Sequence, residues 1–230
     1  MISEISSGLP IHMQLSETQD HETEHSSDLA APVRQDRSRR SLARILASAE
    51  DILRHEGVDG FSIASIARSS GVSVGGIYAR VKSKEGLLQL VKRSVTARIS
   101  EGLARKLEAA DPLVESIVDA YIDNLTEMFS ADENIHRALF MPGVVPREAS
   151  RSADARKRAG AALYASMIVG AEPRLAAFEA TEVRFSAHMA VAMILSLLSP
   201  LEPVIDWEAV NRNLKRATKA YLHFLLTECD

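Results

Sequence analysis

The stretch from Ser62 to Val81, SIASIARSSGVSVGGIYARV, limits what the rest of the chain can be. Ile63, Ile66 and Ala67 recur at helical spacing, and Gly71 then interrupts the pattern. Val72 follows as a buried plug. Ser73 has the side-chain oxygen that caps the start of a second short helix. That helix, Val74 to Arg80, would bury Ile77 and leave its outer side bare except for Tyr78 and Arg80. Two short helices across a glycine turn form the helix-turn-helix pattern, whose second helix enters a DNA major groove.

Charge supports a polyanion-binding segment. Residues 37–107 hold fourteen Lys/Arg against six Asp/Glu, whereas the whole chain is net −4. A basic segment inside an acidic protein is the footprint of a module that meets nucleic acid. Arg37, Arg39, Arg40 and Arg44 crowd the start of an amphipathic helix expected from Asp36 to about Gly57. Cations oppose the dipole there, so an outside anion such as phosphate would reward them. Composition excludes other classes. The lone cysteine, Cys229, can build neither a disulfide framework nor a thiolate metal site, which fits a reducing cytoplasm. The N-terminus has no basic region followed by an apolar run, so no secretory signal is expected. No run approaches the roughly 18 apolar residues of a membrane span.

Residues 1–36 are polar and aperiodic and are expected to be a disordered tail. They contain His21-Glu22-Thr23-Glu24-His25, an H-E-x-x-H match. A zinc hydrolase on His21, Glu22 and His25 is therefore the alternative function. It would need a helix, a third ligand and a walled cavity, none of which the tail's sequence provides. Neither a metal nor a cofactor is expected.

After Phe61 and the helix-turn-helix, Ser83 caps a long helix from about Lys84 to Leu107, with an inner stripe of Leu87, Leu88, Val91, Val95, Ile99, Leu103 and Leu107. The run from Arg39 to about Ile99 resembles the DNA-binding domain of the TetR family of bacterial transcriptional regulators. The residues that carry the resemblance are Ile45 to Ala49, Gly57 with Gly60-Phe61-Ser62, Ile66-Ala67, Gly71-Val72-Ser73, Ile77-Tyr78 and Lys82 to Leu88. Two positions depart from the family pattern: Val81 stands where an aromatic is usual, and Gly75-Gly76 loosens the second helix. The resemblance implies that Ser62, Tyr78 and Lys84 touch phosphates and that Ser73, Val74, Gly75, Gly76 and Arg80 face the groove. Arg39 and Arg40 join them on charge. Arg80, as the helix's long polar side chain, is the expected reader of a guanine edge.

The expected fold is all-α: an N-terminal three-helix DNA-binding domain at 37–83 and a larger helical ligand-binding and dimerisation domain at 84–230. Helices are expected at about 111–129 (with Asp111-Pro112 as cap and first residue), 131–140, 148–169, 173–198 and 206–227, with a loop from Met141 to Pro146. Glu133 and His136 form an E-x-x-H, which di-iron bundles use in pairs, but no second copy lies on a folded helix. By the resemblance, an effector pocket would be walled by Leu103, Leu107, Tyr121, Leu125, Met128, Phe129, Leu139, Phe140, Met167 and Phe185. The last two helices would pair with a second copy through Phe178, Ala187, Val191, Ile194, Leu198, Trp207, Val210, Leu214, Ala217, Tyr221 and Phe224. The function expected is a homodimeric repressor on a palindromic double-stranded DNA operator, released by a small apolar or amphipathic effector. A regulator without an effector is a further alternative.

Overall fold

A computed structural model describes residues 26–140, 147–198 and 204–228, without the side chains of 26–35 and 147–153. His21, Glu22, His25, the Met141–Pro146 loop and Cys229 lie outside the described residues. The chain divides into two compact units, Met1–Arg40 and Ser41–Asp230. Among the described residues the fold is all-α, and no helix is long and apolar enough to cross a membrane.

Nine α-helices are described: α1 (Ser26–Gly60), α2 (Ile63–Ser70), α3 (Val74–Tyr78), α4 (Lys84–Glu108), α5 (Val114–Ala131), α6 (Glu133–Phe140), α7 (Arg147–Ala171), α8 (Ala180–Leu197) and α9 (Trp207–Thr227). α1 begins well before the start expected at Asp36. Its regular geometry fails at Gly57, whose φ of 66° is costly for any residue with a Cβ. α5 starts later than expected. Leu113 occupies its cap position without a side-chain bond, because Asp111 is spent on a tight turn in which its carbonyl accepts from Leu113 N–H at 2.7 Å. The expected 173–198 helix is split. A 3₁₀ turn, Pro173–Ala177, ends at extended Phe178, and a reciprocal cap between Glu179 and Glu182 opens α8.

Two apolar cores form. The first gathers Ile45, Leu53, Phe61, Ile66 and Ile77 with Leu87, Val91 and Val95 of α4, and also Ile135 and Leu139 of α6. The second fills the space among α4, α5, α7, α8 and α9. α4 and α5 cross closely at Gly102, where an added Cβ would lie 2.6 Å from Asn124 Oδ1.

Candidate nucleic-acid interface and adjoining cavity

The helix-turn-helix is held by local hydrogen bonds. Ser62 and Ser65 cap α2 reciprocally: Ser65 N–H donates to Ser62 Oγ at 3.0 Å, and Ser62 N–H to Ser65 Oγ at 3.1 Å. Gly71, at φ 64°, closes α2 in the left-handed conformation. Ser73 Oγ accepts from Gly76 N–H at 3.1 Å and starts α3. Ile77 is fully buried beneath α3, while Val74 and Tyr78 are 45% and 50% exposed. Gly75 and Gly76 differ. A Cβ at Gly75 would meet nothing within 4 Å, whereas one at Gly76 would lie 3.0 Å from Val72 Cγ1. The outward face of α3 is therefore a short, nearly bare backbone flanked by Ser73, Val74 and Tyr78.

Polar bridges tie this head to the rest of its unit. Arg98 on α4 donates two hydrogen bonds to Glu50 on α1, at 3.0 and 2.9 Å. Arg54 Nε donates to Asp132 Oδ1 at 2.7 Å, and this bond holds the Asp132 carboxyl below its usual range. Asn134 donates to the Arg54 carbonyl at 3.0 Å.

A cavity of about 240 Å³ opens among α4, α5, α7 and α8, with Phe140 of α6 on its wall. Ile99, Leu103, Tyr121, Leu125, Phe129, Val191 and Leu195 make it apolar. Lys92, only 7% exposed, also lines it, with Nζ 4.9 Å from the centre of the Phe140 ring. Burial lowers the Lys92 pKa, and the Asp154 charge opposes that shift. Behind the wall, His136 is stacked on Phe129 at 4.3 Å and near Phe140 at 5.9 Å. The backbone at Asp132 and Phe129 favours its charged form slightly, but neither ring nitrogen makes a well-formed hydrogen bond. Burial dominates and pushes its pKa down to about 4.

Residues 45–91 match the family model described as bacterial regulatory proteins, tetR family. The HTH-type transcriptional regulator BetI of Cronobacter sakazakii (strain ATCC BAA-894) is 30% identical over 102 residues, 44% of this chain and 47% of that protein. The chain thus matches about half the length of this curated relative.

The helix-turn-helix segment, residues 45–91, is of the TetR family.

Solved structures extend the likeness in fold to the helices beyond the match. The fatty acid degradation regulator FadR from Bacillus halodurans superposes with a TM-score of 0.62 at 14% identity, over 77% of this chain and 93% of that one. FadR from Bacillus subtilis, solved in complex with stearoyl-CoA, gives 0.58 at 13%, over 76% and 96%.

The expected site residues scatter. Ser62, Ser73, Val74, Gly75 and Tyr78 are exposed around α2 and α3. Gly76 is partly covered and serves the cap. Lys84 sits 5.8 Å over the Phe61 ring. Arg80 departs from expectation. Its Nη1 donates to the Gly76 carbonyl at 2.7 Å and its Nε is buried, so the side chain folds back along α3 instead of reaching outward. Arg39 and Arg40 are exposed in the first unit, Arg39 at 4.0 Å from Asp36.

Of the expected pocket wall, Leu103, Tyr121, Leu125, Phe129 and Phe140 line the cavity. Leu107 is sealed in the second core and Leu139 in the first; Met128 and Met167 do not reach the lining. Phe185 is 52% exposed on the outside of α8, against Tyr221 at 5.5 Å. Lys92, which sequence reasoning passed over, is there instead.

The expected pairing stripe is corrected at several positions. Ala187, Ile194 and Leu198 are at most 2% exposed inside the subunit and cannot meet a second chain. Phe178 and Val191 pack on the same core, Val191 also lining the cavity. Trp207 donates to Glu133 at 2.9 Å, and Tyr221 OH donates to the Glu182 carbonyl at 3.2 Å. Val210, Leu214 and Ala217 line an outer groove with Met193 and Leu197, and Phe224 is 55% exposed. Glu133 and His136 serve separate structural roles. Among the described residues no cluster of three or more His, Cys, Asp or Glu is placed to hold a metal ion.

Proposed function

We propose that this chain is a sequence-specific DNA-binding transcriptional regulator, a homodimeric repressor that leaves its operator when a small amphipathic molecule fills the cavity. The observation that carries the reading is α3: a TetR-family second helix displayed with an open glycine face between Val74 and Tyr78. Ser62, Ser73, Tyr78 and Lys84 would supply the phosphate contacts beside that face. The effector half of the reading is supported by the apolar cavity and by a fold neighbour whose structure holds stearoyl-CoA. Pairing is supported by the apolar outer side of α8 and α9, where Phe185, Met193 and Phe224 are about half exposed. A two-fold dimer would set its recognition helices one DNA turn apart, which demands a palindromic site.

The test is to expose the full chain to fragments of its own genome and sequence what it retains. A shared palindromic element, bound with lower affinity after Val74→Asp, is the expected result. Retention without any common sequence overturns the proposal.

A further inference from the structure

The cavity's polar inventory is lopsided. Thr96 Oγ1 donates to the Lys92 carbonyl at 2.6 Å, and Ser100 Oγ to the Thr96 carbonyl at 3.0 Å. Their hydroxyl protons are therefore committed to α4. The Lys92 ammonium is the contrast. Among the described residues it has neither a hydrogen bond nor an ion pair, only the Phe140 ring and the more distant pull of Asp154. The Lys92 stem is buried while its ammonium opens onto the cavity without an acceptor among the described residues, and Asp154 is itself exposed. Arg156 and Lys157 add two more cations to the lining, so three positive groups face one carboxylate.

We infer that the cavity is built for a small organic acid, with its carboxylate on Lys92 and its apolar tail among Leu103, Tyr121, Leu125 and Val191. This rests on the reading of the cavity as an effector site and names the chemistry it selects. A carboxylate supplies the acceptor that the ammonium lacks and restores the charged form that burial disfavours. The roughly 240 Å³ of space is under the ~300–1,000 Å³ of drug-sized sites, so the tail is short.

Calorimetry on the full chain tests this with octanoate, 1-octanol and octanoyl-CoA. Octanoate should bind at least about tenfold tighter than 1-octanol, the scale of one charge-assisted hydrogen bond. Lys92→Met should erase that preference, and Lys92→Arg should keep it. Three results each overturn the inference: Lys92→Met binding octanoate as well as the wild type does, tighter binding of 1-octanol or octanoyl-CoA, or no binding of octanoate. Release of a genome-selected DNA fragment is read separately. Lys92-dependent octanoate binding that leaves DNA affinity unchanged upholds the organic-acid site and removes the effector reading. Release by 1-octanol alone does the reverse.

Discussion

Gly75→Ala separates what α3 needs in order to fold from what it needs in order to bind. A methyl at this position points into open space, with no heavy atom within 4 Å. Alanine is favoured over glycine inside a helix by about 1 kcal/mol, and α3 has only five residues over which to spread that gain. The isolated protein should therefore become more stable, with Tm rising by roughly 1–4 °C for a chain of this size. DNA binding should move the other way. If the bare face of α3 lies against the groove, the methyl overfills a packed interface, at a cost of about 1–3 kcal/mol or roughly 5- to 150-fold in affinity. Gly76→Ala is the control. Its methyl would press on Val72 Cγ1 at 3.0 Å and Ser73 Oγ at 3.1 Å, disturbing the plug and the cap, so its propensity gain is offset and Tm should not rise. The measurements are thermal unfolding by circular dichroism and fluorescence anisotropy on a genome-selected fragment. A Gly75→Ala protein that melts higher and binds that fragment with unchanged affinity refutes the placement of α3 against DNA.

His136 predicts an acid-sensitive fold. Its folded pKa, about 4, lies below the ordinary 6.5, so the unfolded chain takes up the proton first, and stability falls as pH drops through the window from 6.5 to 4. Between pH 7.5 and pH 5 this group alone should cost about 2 kcal/mol; His136→Phe should flatten that part of a urea-midpoint-versus-pH curve, and an unchanged slope would count against the buried neutral ring. Gly102→Ala should displace Asn124, which donates to the Ile99 carbonyl at 3.2 Å, and lower stability by about 1–3 kcal/mol; a Tm equal to wild type would show that α4 and α5 can separate there. Met193→Glu places a charge in the outer groove of α8 and α9, so analytical ultracentrifugation should find monomer, whereas an intact dimer would move the pairing surface elsewhere.

The reading head was legible because its structure is local. Ser73, Ser83 and Gly71 act on backbone groups within three residues of themselves, and turn and cap chemistry of that range is written in sequence. Arg80 was misread for the opposite reason. Whether a long side chain reaches outward or folds onto its own helix depends on a carbonyl at Gly76 and on burial, which residue type does not encode. α8 is apolar on nearly every side, so periodicity could not choose between a face carrying Ala187 and Ile194 and one carrying Phe185 and Met193. Lys92 was findable in principle. Lys92, Thr96, Ile99 and Leu103 advance by four, three and four along α4, the spacing of a single face, and a lysine on such a face is a buried cation until shown otherwise.

If the proposed effector reading holds, α6 is the element that joins the cavity to the core holding Ile77 of α3. Its eight residues belong to two environments at once. Ile135 and Leu139 are fully buried in the core that also holds Phe61, Ile66 and Ile77, while Phe140 lines the cavity and shares its wall with the Lys92 ammonium. A ligand that draws Lys92 away from Phe140 would therefore act on a helix whose Ile135 and Leu139 share a core with Ile66 and Ile77. Arg54–Asp132 and Glu50–Arg98 bind α1 to the start of α6 and to α4, so the head cannot shift without straining both pairs. Packed cores of this kind move between discrete arrangements and do not deform continuously. The shift a ligand can impose is limited to its difference in affinity for the two arrangements. An acid that binds Lys92 equally well in both would fill the cavity and leave the DNA bound. Effector strength should thus follow how differently Phe140 and Lys92 are placed in the two states, more than how tightly the acid binds.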